Sequence, residues 1–425
     1  MANFITEDMI EKAILSKLKE APFEYDIITC DADPSKRDDP NDGTGRSSKR
    51  ECVLPCVLEE SLKRINPNID EQYIKAIVKD LRRDFTGTDI VATNYKLYNQ
   101  LRNGIKITVR KNGKEDFDFV KLIDFDAPAN NTFTAVSQMW IQGKAYYRRP
   151  DIIVFVNGLP LVFIELKNSI VKVEEAYNKN LQDYKRDIPN LFAFNQICVL
   201  SNGLETKLGA FNASYDYFFE WLKVVSEKEG PDREALRNAA DANNSSVRFF
   251  VDGLLDKTRL IDYIENFILF QNESIKIIAK NHQYLGVNNL MESMENRAEL
   301  KGKLGVFWHT QGSGKSLTMV LLVRALIEAI ENPDEYFTAA VLSTPMMEIH
   351  TGSVPKFMAN AIANFMNFIG KGESYILGQG PYEGIYEHTY PTSSQARTSY
   401  VEELKASDET LQVNGGSFTW LKEGF

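Results

Sequence analysis

The pattern of apolar and polar positions predicts an α/β domain in residues 1–226. Residues 1–20 and 58–83 carry apolar side chains at helical spacing. Short β-rich runs begin near residue 104, and a helical pattern and another strand candidate follow them. Helices and strands in this order indicate one sheet with flanking helices.

A change in composition divides the rest of the chain. Residues 227–247 are polar and weakly patterned, which favours an interdomain linker. Helical patterns then cover 257–270 and 272–294, and a strand, a glycine-rich loop and a helix follow. The final stretch is rich in Gly, Ser, Tyr and Pro and stays unassigned. The predicted segments are 1–226, 227–247, 248–341 and 342–425.

Composition and charge narrow the class of protein. The chain of 425 residues is 43% hydrophobic and 25% charged, which is typical of soluble globular domains. Its net charge of −10 argues against nonspecific nucleic-acid binding by the whole surface but leaves room for a local basic channel. No apolar run is as long as a membrane span, and the acidic start does not resemble a signal peptide. We therefore expect no membrane association and a cytoplasmic location.

The stretch RPDIIVFVNGLPLVFIELK carries candidate catalytic residues. Asn157-Gly158 is typical of a tight hairpin turn, and pairing of the two flanking strands would bring Asp151 and Glu165 together. Side chains alternate along a strand, so Glu165 and Lys167 share a face. Two converging carboxylates suit Mg²⁺, which would activate water at a phosphodiester, while Lys167 would position the nucleophile or balance charge. The alternative is an edge hairpin with polar residues at its strand ends.

These residues resemble the PD-(D/E)xK nuclease superfamily. The resemblance implies that Asp151 and Glu165 bind the catalytic metal and that Lys167 completes the site. The family's restriction-motor branch also carries Gln-x-x-x-Tyr on the following helix. Here Tyr184 is preceded at four residues by Asn180, which has a shorter amide, and Gln182 is expected on another face.

The stretch HTQGSGKS, residues 309–316, is a candidate phosphate loop. MgATP binding requires a strand, a turn with inward backbone N–H groups, a Lys for the phosphates and a hydroxyl for Mg²⁺. His309 replaces the usual first glycine, and the alternative is a Gly-Ser turn before a helix. The predicted ATP-binding residues of the loop are Thr310, Gly312, Ser313, Gly314, Lys315 and Ser316. Upstream, Gln283 is a candidate for adenine recognition, with a helix-surface glutamine as the alternative.

The order of these motifs up to about residue 341 is very similar to the R (restriction and motor) subunit of type I restriction enzymes. This resemblance implies a restriction-endonuclease-like mixed sheet with flanking helices, followed by a partial RecA-like P-loop α/β domain. It also implies Mg²⁺ and ATP as cofactors and ATP-driven translocation on double-stranded DNA. The partners implied are methyltransferase (M) and specificity (S) subunits.

The sequence departs from this family after residue 341. The pairs Asp334-Glu335 and Asp408-Glu409 lack the apolar strand that precedes a Walker B motif. We therefore expect this chain alone to lack a complete motor and to hydrolyse ATP slowly. Two other hypotheses stay open: a non-hydrolysing nucleotide-binding docking module on a DNA methyltransferase complex, and a standalone nuclease.

Overall fold

The structure is a computed structural model, and its described residues fall into two compact units, Met1–Glu292 and Ser293–Phe425. No helix among these residues is long and apolar enough to cross a bilayer. The described residues are 4–111, 114–226, 229, 236, 241–296, 298–300, 313–329, 361–362, 364–367, 370–371 and 374.

Strands of the first unit form one large sheet and three two-stranded ribbons. The large sheet has the order β1-β4-β7-β8-β9-β10-β11, where β1 with β4 and β8 with β9 pair in parallel and the other neighbours are antiparallel. It confirms the predicted mixed sheet. The strands are β1 (Asp26–Thr29), β2 (Ile105–Lys111), β3 (Lys114–Val120), β4 (Phe133–Ser137), β5 (Ile141–Gln142), β6 (Tyr147–Arg148), β7 (Ile152–Val156), β8 (Leu159–Leu166), β9 (Ile197–Ser201), β10 (Thr206–Gly209), β11 (Phe219–Glu220), β12 (Ile268–Gln271) and β13 (Ile275–Ile278).

Helices flank this sheet, as predicted. The helices of the described residues are α1 (Glu7–Lys19), α2 (Pro55–Ile65), α3 (Glu71–Leu81), α4 (Ile90–Asn103), α5 (Gln182–Asp187), α6 (Val247–Leu254), α7 (Lys257–Asn266), α8 (Asn281–Glu295) and α9 (Lys315–Ala329). Of these, α9 belongs to the second unit and not to the unit that contains this sheet. A helical turn at Val173–Glu175 and a π-helical segment at Ala176–Leu181 lead directly into α5. All residues of β4, β7, β8 and β9 are buried, which explains their nearly continuous apolar sequences.

Two helical segments are interrupted where the periodicity alone predicted continuity. The pattern at 58–83 is two helices, α2 and α3, because the chain leaves helical geometry at Asn66 and Asp70 caps the next helix through Gln72 N–H. The helix predicted for 272–294 begins instead with β13, which pairs with β12. Asn272 and Glu273, both with positive φ, form the turn of this hairpin.

The first unit extends past the predicted linker. Within it the Ser246 hydroxyl donates to Gly203 O at 2.8 Å, and the Tyr25 hydroxyl donates to Leu255 O at 2.7 Å. The domain boundaries proposed from the sequence stay predictions. Residues 301–312, which include the predicted strand before the phosphate loop, lie outside the described residues.

A buried lysine joins the β12–β13 ribbon to the large sheet. Lys276 is 2% exposed, and its Nζ donates to Asn195 O at 2.6 Å, to Gln196 Oε1 at 2.7 Å and to Asn94 Oδ1 at 3.1 Å. Burial lowers the pKa of Lys276 well below its usual value. The three oxygens match the three hydrogens of an ammonium group.

The polar segment 31–50 is held by a buried ion pair. Asp42 accepts from Arg46 at 2.8 Å and from Lys49 at 2.6 Å, and Arg46 also donates to Trp140 O. Burial acts to raise the pKa of Asp42, but Lys49, Thr44 and Arg46 together hold it well below its usual range. A segment with few apolar side chains is thereby fixed against the sheet.

Candidate active site

The hairpin β7–β8 has the turn that the sequence predicted. Asn157 and Gly158 have φ values of 50° and 78°, and the strands pair directly from Val156 to Leu159. A Cβ at Gly158 would lie 2.6 Å from Leu54 O, so α2 leaves room for glycine alone at this point. The turn therefore fixes the pairing next to it, and a β-bulge between the Val154 and Phe155 pairs then shifts the register by one residue.

The register brings the two predicted carboxylates together. Ile152 pairs with Ile164, so Asp151 lies opposite Glu165 one step further along the hairpin, and opposed residues share a face. Asp151 Oδ2 accepts from Leu166 N–H at 2.7 Å. Glu165 is 2% exposed, whereas Asp151 is half-buried at the strand entrance.

Three further predicted residues surround Glu165. Lys167 Nζ donates to Glu165 Oε1 at 2.9 Å, and Asn180 Nδ2 donates to the same oxygen from the π-helical segment. The Tyr184 hydroxyl donates to Arg149 O at 3.2 Å. Gln182 turns away and donates to Tyr177 O.

Burial and the repulsion between carboxylates shift the pKa values of the side chains in this cluster. Burial, and then the Asp151 carboxylate, raise the pKa of Glu165 to about 8. Burial also raises the pKa of Asp151, although Leu166 N–H and Lys167 oppose the shift. Burial lowers the pKa of Lys167, but Glu165 more than offsets this, so the pKa lies above its usual value. Burial and the carboxylates of Glu165 and Asp151 raise the pKa of Tyr184.

The second oxygen of Glu165 is available for a cation. Glu165 Oε2 is buried and has no hydrogen-bond partner among the described residues. A buried carboxylate oxygen without a partner is costly, and a hard divalent cation would satisfy it. Among the described residues no set of three or more His, Cys, Asp or Glu side chains is arranged to hold a metal. The carboxylates that the hairpin register brings together here are those of Asp151 and Glu165. These two residues fit Mg²⁺, which completes its shell with water and phosphate oxygens.

Two residues beside Asp151 were missed from the sequence. Gln138, which directly follows β4, donates through Nε2 to the Glu11 carboxylate on α1 and lies 3.5 Å from Asp151 Oδ1. Burial raises the pKa of Glu11 to about 7, with Gln138 lowering it and Asp151 raising it further. Sequence spacing contains no sign of this link, because Glu11 and Gln138 are 127 residues apart.

The structure describes only some of the predicted ATP-binding residues of the phosphate loop. α9 begins at Lys315, and Gly314, with φ of 85°, accepts at its carbonyl from Thr318 N–H at 3.0 Å. Lys315 is half-buried and Ser316 is exposed at the first turn of this helix. Thr310 and Gly312 lie outside the described residues.

Gln283 is buried rather than on a helix surface. It is 1% exposed, and its Oε1 accepts from Lys280 N–H at 2.8 Å at the start of α8. The helix-surface alternative is therefore wrong. Adenine recognition by this side chain stays a prediction, and it would have to compete with the contact to Lys280.

Comparisons with known proteins match both halves of the described chain. Residues 4–217 match the family model of the type I restriction enzyme R protein N terminus, and residues 282–338 match the SWI2/SNF2 ATPase model.

Three curated relatives carry related names. The type I restriction enzyme HindI endonuclease subunit of Haemophilus influenzae is 36% identical over 288 residues, covering 65% of this chain and 26% of that protein. The putative MjaIXP endonuclease subunit of Methanocaldococcus jannaschii is 29% identical over 370 residues, covering 81% of this chain and 33% of that protein. The SauCOLORF180P endonuclease subunit of Staphylococcus aureus is 26% identical over 216 residues, covering 50% and 21%.

The chain spans between a fifth and a third of the length of these relatives. The R protein model nevertheless covers half of the chain, including the whole carboxylate hairpin and the helix after it. The mixed sheet and the buried Glu165 carboxylate agree with that assignment. The chain therefore belongs to the type I restriction enzyme R protein family.

Proposed function

We propose that the first unit is a Mg²⁺-dependent endonuclease that cuts double-stranded DNA as part of a type I restriction-modification enzyme. The observation that carries this proposal is Glu165, whose buried Oε2 has no partner among the described residues, opposite Asp151 in the hairpin. The endonuclease names of the relatives support it.

Asp151 and Glu165 would hold the metal through their carboxylates. Bound Mg²⁺ supplies Lewis-acid stabilisation of the phosphodiester and lowers the pKa of a water molecule. Leu166 N–H restrains Asp151 Oδ2, while Lys167 and Asn180 both hold Glu165 Oε1, so that Oε2 stays directed to the cation. The Lys167 ammonium, 15% exposed in its side chain, is placed to balance negative charge on the phosphate.

The second part of the proposal concerns nucleotide. Lys315 and Ser316 at the start of α9, with the glycines before them, would bind the phosphates of ATP and its Mg²⁺. The SWI2/SNF2 match supports ATP-driven translocation on DNA by the assembled enzyme. M and S subunits are the proposed partners, and the cytoplasm is the proposed location.

Cleavage in a reconstituted complex tests the nuclease. The chain is combined with M and S subunits, and plasmid cleavage is compared between the wild type and Asp151→Ala. Asp126→Ala is the matched control, because that side chain is 85% exposed and lies on a loop. We expect Asp151→Ala to abolish cleavage and the control to retain it. Absence of cleavage by the wild-type complex would favour the docking-module hypothesis.

ATP turnover tests the motor. Because neither Asp334-Glu335 nor Asp408-Glu409 is preceded by an apolar run in the sequence, we expect the isolated chain to turn over fewer than about one ATP per second. Faster turnover that Lys315→Ala abolishes would contradict this expectation. The nuclease proposal would be unaffected, since the two tests use different residues.

A further inference from the structure

Gln138 contacts Asp151 twice. Its backbone N–H donates to Asp151 O at 2.9 Å, which continues the β4–β7 ladder by one residue. Its side-chain Nε2 donates to Glu11 and lies 3.5 Å from Asp151 Oδ1. One amide group therefore bridges a carboxylate of α1 and a carboxylate of the candidate active site.

Gln138 adopts a backbone conformation that costs free energy. Its φ is 59°, in the left-handed region that glycine occupies freely and that glutamine rarely adopts. Strained residues of this kind persist where the surroundings hold them, and they cluster at functional sites. In this conformation the Gln138 side chain lies beside both carboxylates.

The position of Glu11 is fixed by the start of α1. Ile5 N–H donates to Ser169 Oγ at 3.1 Å, and Ser169 N–H donates back to Ile5 O at 2.9 Å. Glu7 N–H donates to Asn168 Oδ1 at 3.1 Å. These bonds tie α1 to the residues that directly follow the strand bearing Glu165.

The chemistry of the amide fixes its direction. In their ionised forms Glu11 and Asp151 only accept hydrogen bonds, and it is the NH₂ of Gln138 that faces both groups. Leu166 N–H already restrains Asp151 Oδ2. The approach of Gln138 to Oδ1 adds a second restraint on the same carboxylate.

We propose that Gln138 and Glu11 are positioning residues for Asp151: Gln138 restrains the Asp151 carboxylate in its metal-binding orientation, and Glu11 restrains Gln138. This inference rests on the proposed function, in which Asp151 binds the metal. Groups that orient a metal ligand typically change metal affinity by about 10- to 100-fold when removed. Neither residue contacts the metal itself in this role.

Calorimetric titration of Mn²⁺ into the full chain tests the proposal. The variants are Gln138→Gly, Glu11→Ala, Glu11→Gln and Asp151→Ala, with Glu20→Gln as an exposed control at the other end of α1. We expect Gln138→Gly to weaken Mn²⁺ binding about tenfold. Its thermal midpoint should stay the same or rise, because glycine relieves the positive φ. A merely structural role would not separate affinity from stability in this way.

Comparison of the two Glu11 variants separates a positioning role from direct metal binding. Glu11→Gln keeps an oxygen that accepts from Gln138 and should retain most of the affinity, whereas Glu11→Ala should lose about as much as Gln138→Gly. An equal loss in Glu11→Gln and Glu11→Ala would make Glu11 a metal ligand and overturn the positioning role. The same pair decides the question if Gln138→Gly does not fold.

The remaining outcomes separate this inference from the proposed function. Unchanged affinity in Gln138→Gly, together with loss of binding in Asp151→Ala, would overturn the inference alone. Unchanged affinity in Asp151→Ala would overturn the proposed metal site itself.

Discussion

The metal affinity of the candidate site should depend steeply on pH. Glu165 has a pKa raised to about 8 by burial and by Asp151, so it carries a proton through most of the neutral range. A divalent cation binds the carboxylate and not the acid, so binding must displace that proton. We therefore consider the binding of Mn²⁺ to the full chain at pH values from 6 to 9.

The magnitude follows from this pKa. At pH 7 a group of pKa 8 is about 0.9 protonated, so binding should release about 0.9 proton from Glu165. Apparent affinity should rise about ninefold from pH 6 to 7 and about fivefold from pH 7 to 8, then less than twofold to pH 9. The raised pKa of Asp151 acts in the same direction at the acid end.

Calorimetry in buffers of different ionisation enthalpy measures both quantities. Proton release appears as a dependence of the observed heat on the buffer, and Glu20→Gln should give the wild-type curve. Affinity that is constant from pH 6 to 9, with no proton release, would show that Glu165 is not a protonated ligand displaced by the metal. The metal-free chain gives an independent check. Its free energy of unfolding should depend on pH, because the pKa of Glu165 is higher in the folded state than the usual 4.5. The stability contributed by Glu165 is full below pH 4.5 and is lost as the pH rises through 8.

Three other substitutions address separate contacts. Asn180→Ala removes a donor to Glu165 Oε1 and should weaken Mn²⁺ binding about tenfold by calorimetry, and an unchanged affinity would contradict this. Lys276→Met leaves two buried amide oxygens, Asn94 Oδ1 and Gln196 Oε1, without their donor, and should destabilise the chain by about 3 kcal/mol in urea denaturation, whereas the exposed Lys96→Met should cost little. Asp42→Asn should lower the free energy of unfolding by about 3 kcal/mol above a pH of about 4, because the lowered pKa of Asp42 stabilises the folded state there. This contribution is lost as the pH falls, so an equal difference between variant and wild type at pH 2 would contradict the prediction.

The hairpin could be predicted from the sequence because its determinants are local. Asn157-Gly158 encodes the turn and the pairing next to it, but a β-bulge between the Val154 and Phe155 pairs shifts the register by one residue, and this shift is what places Asp151 opposite Glu165 rather than Ile164. Alternation along β8 then puts Lys167 beside Glu165, where the structure has it. Each step uses residues fewer than twenty apart.

Contacts between distant elements could not be predicted in this way. Glu11 is one of several acidic residues on α1, and the periodicity of the sequence identifies it only as part of a helix. Packing of α1 against the end of β8 singles it out. The β12–β13 ribbon was hidden for a similar reason: its apolar residues also fit helical spacing, and pairing with a partner strand decides between the two.

The π-helical segment explains how a shorter amide reaches the site. The family pattern has glutamine where this chain has Asn180, and helical periodicity predicts a regular α-helix here. Ala176–Leu181 is π-helical instead, and this wider turn carries Asn180 to within hydrogen-bond distance of Glu165 while Tyr184, four residues on, still reaches Arg149 O. Periodicity of 3.6 residues contains no sign of such a turn. From this segment Asn180 joins Lys167 as a donor to Glu165 Oε1, whereas Oε2 has no partner among the described residues and is the oxygen proposed to bind the metal.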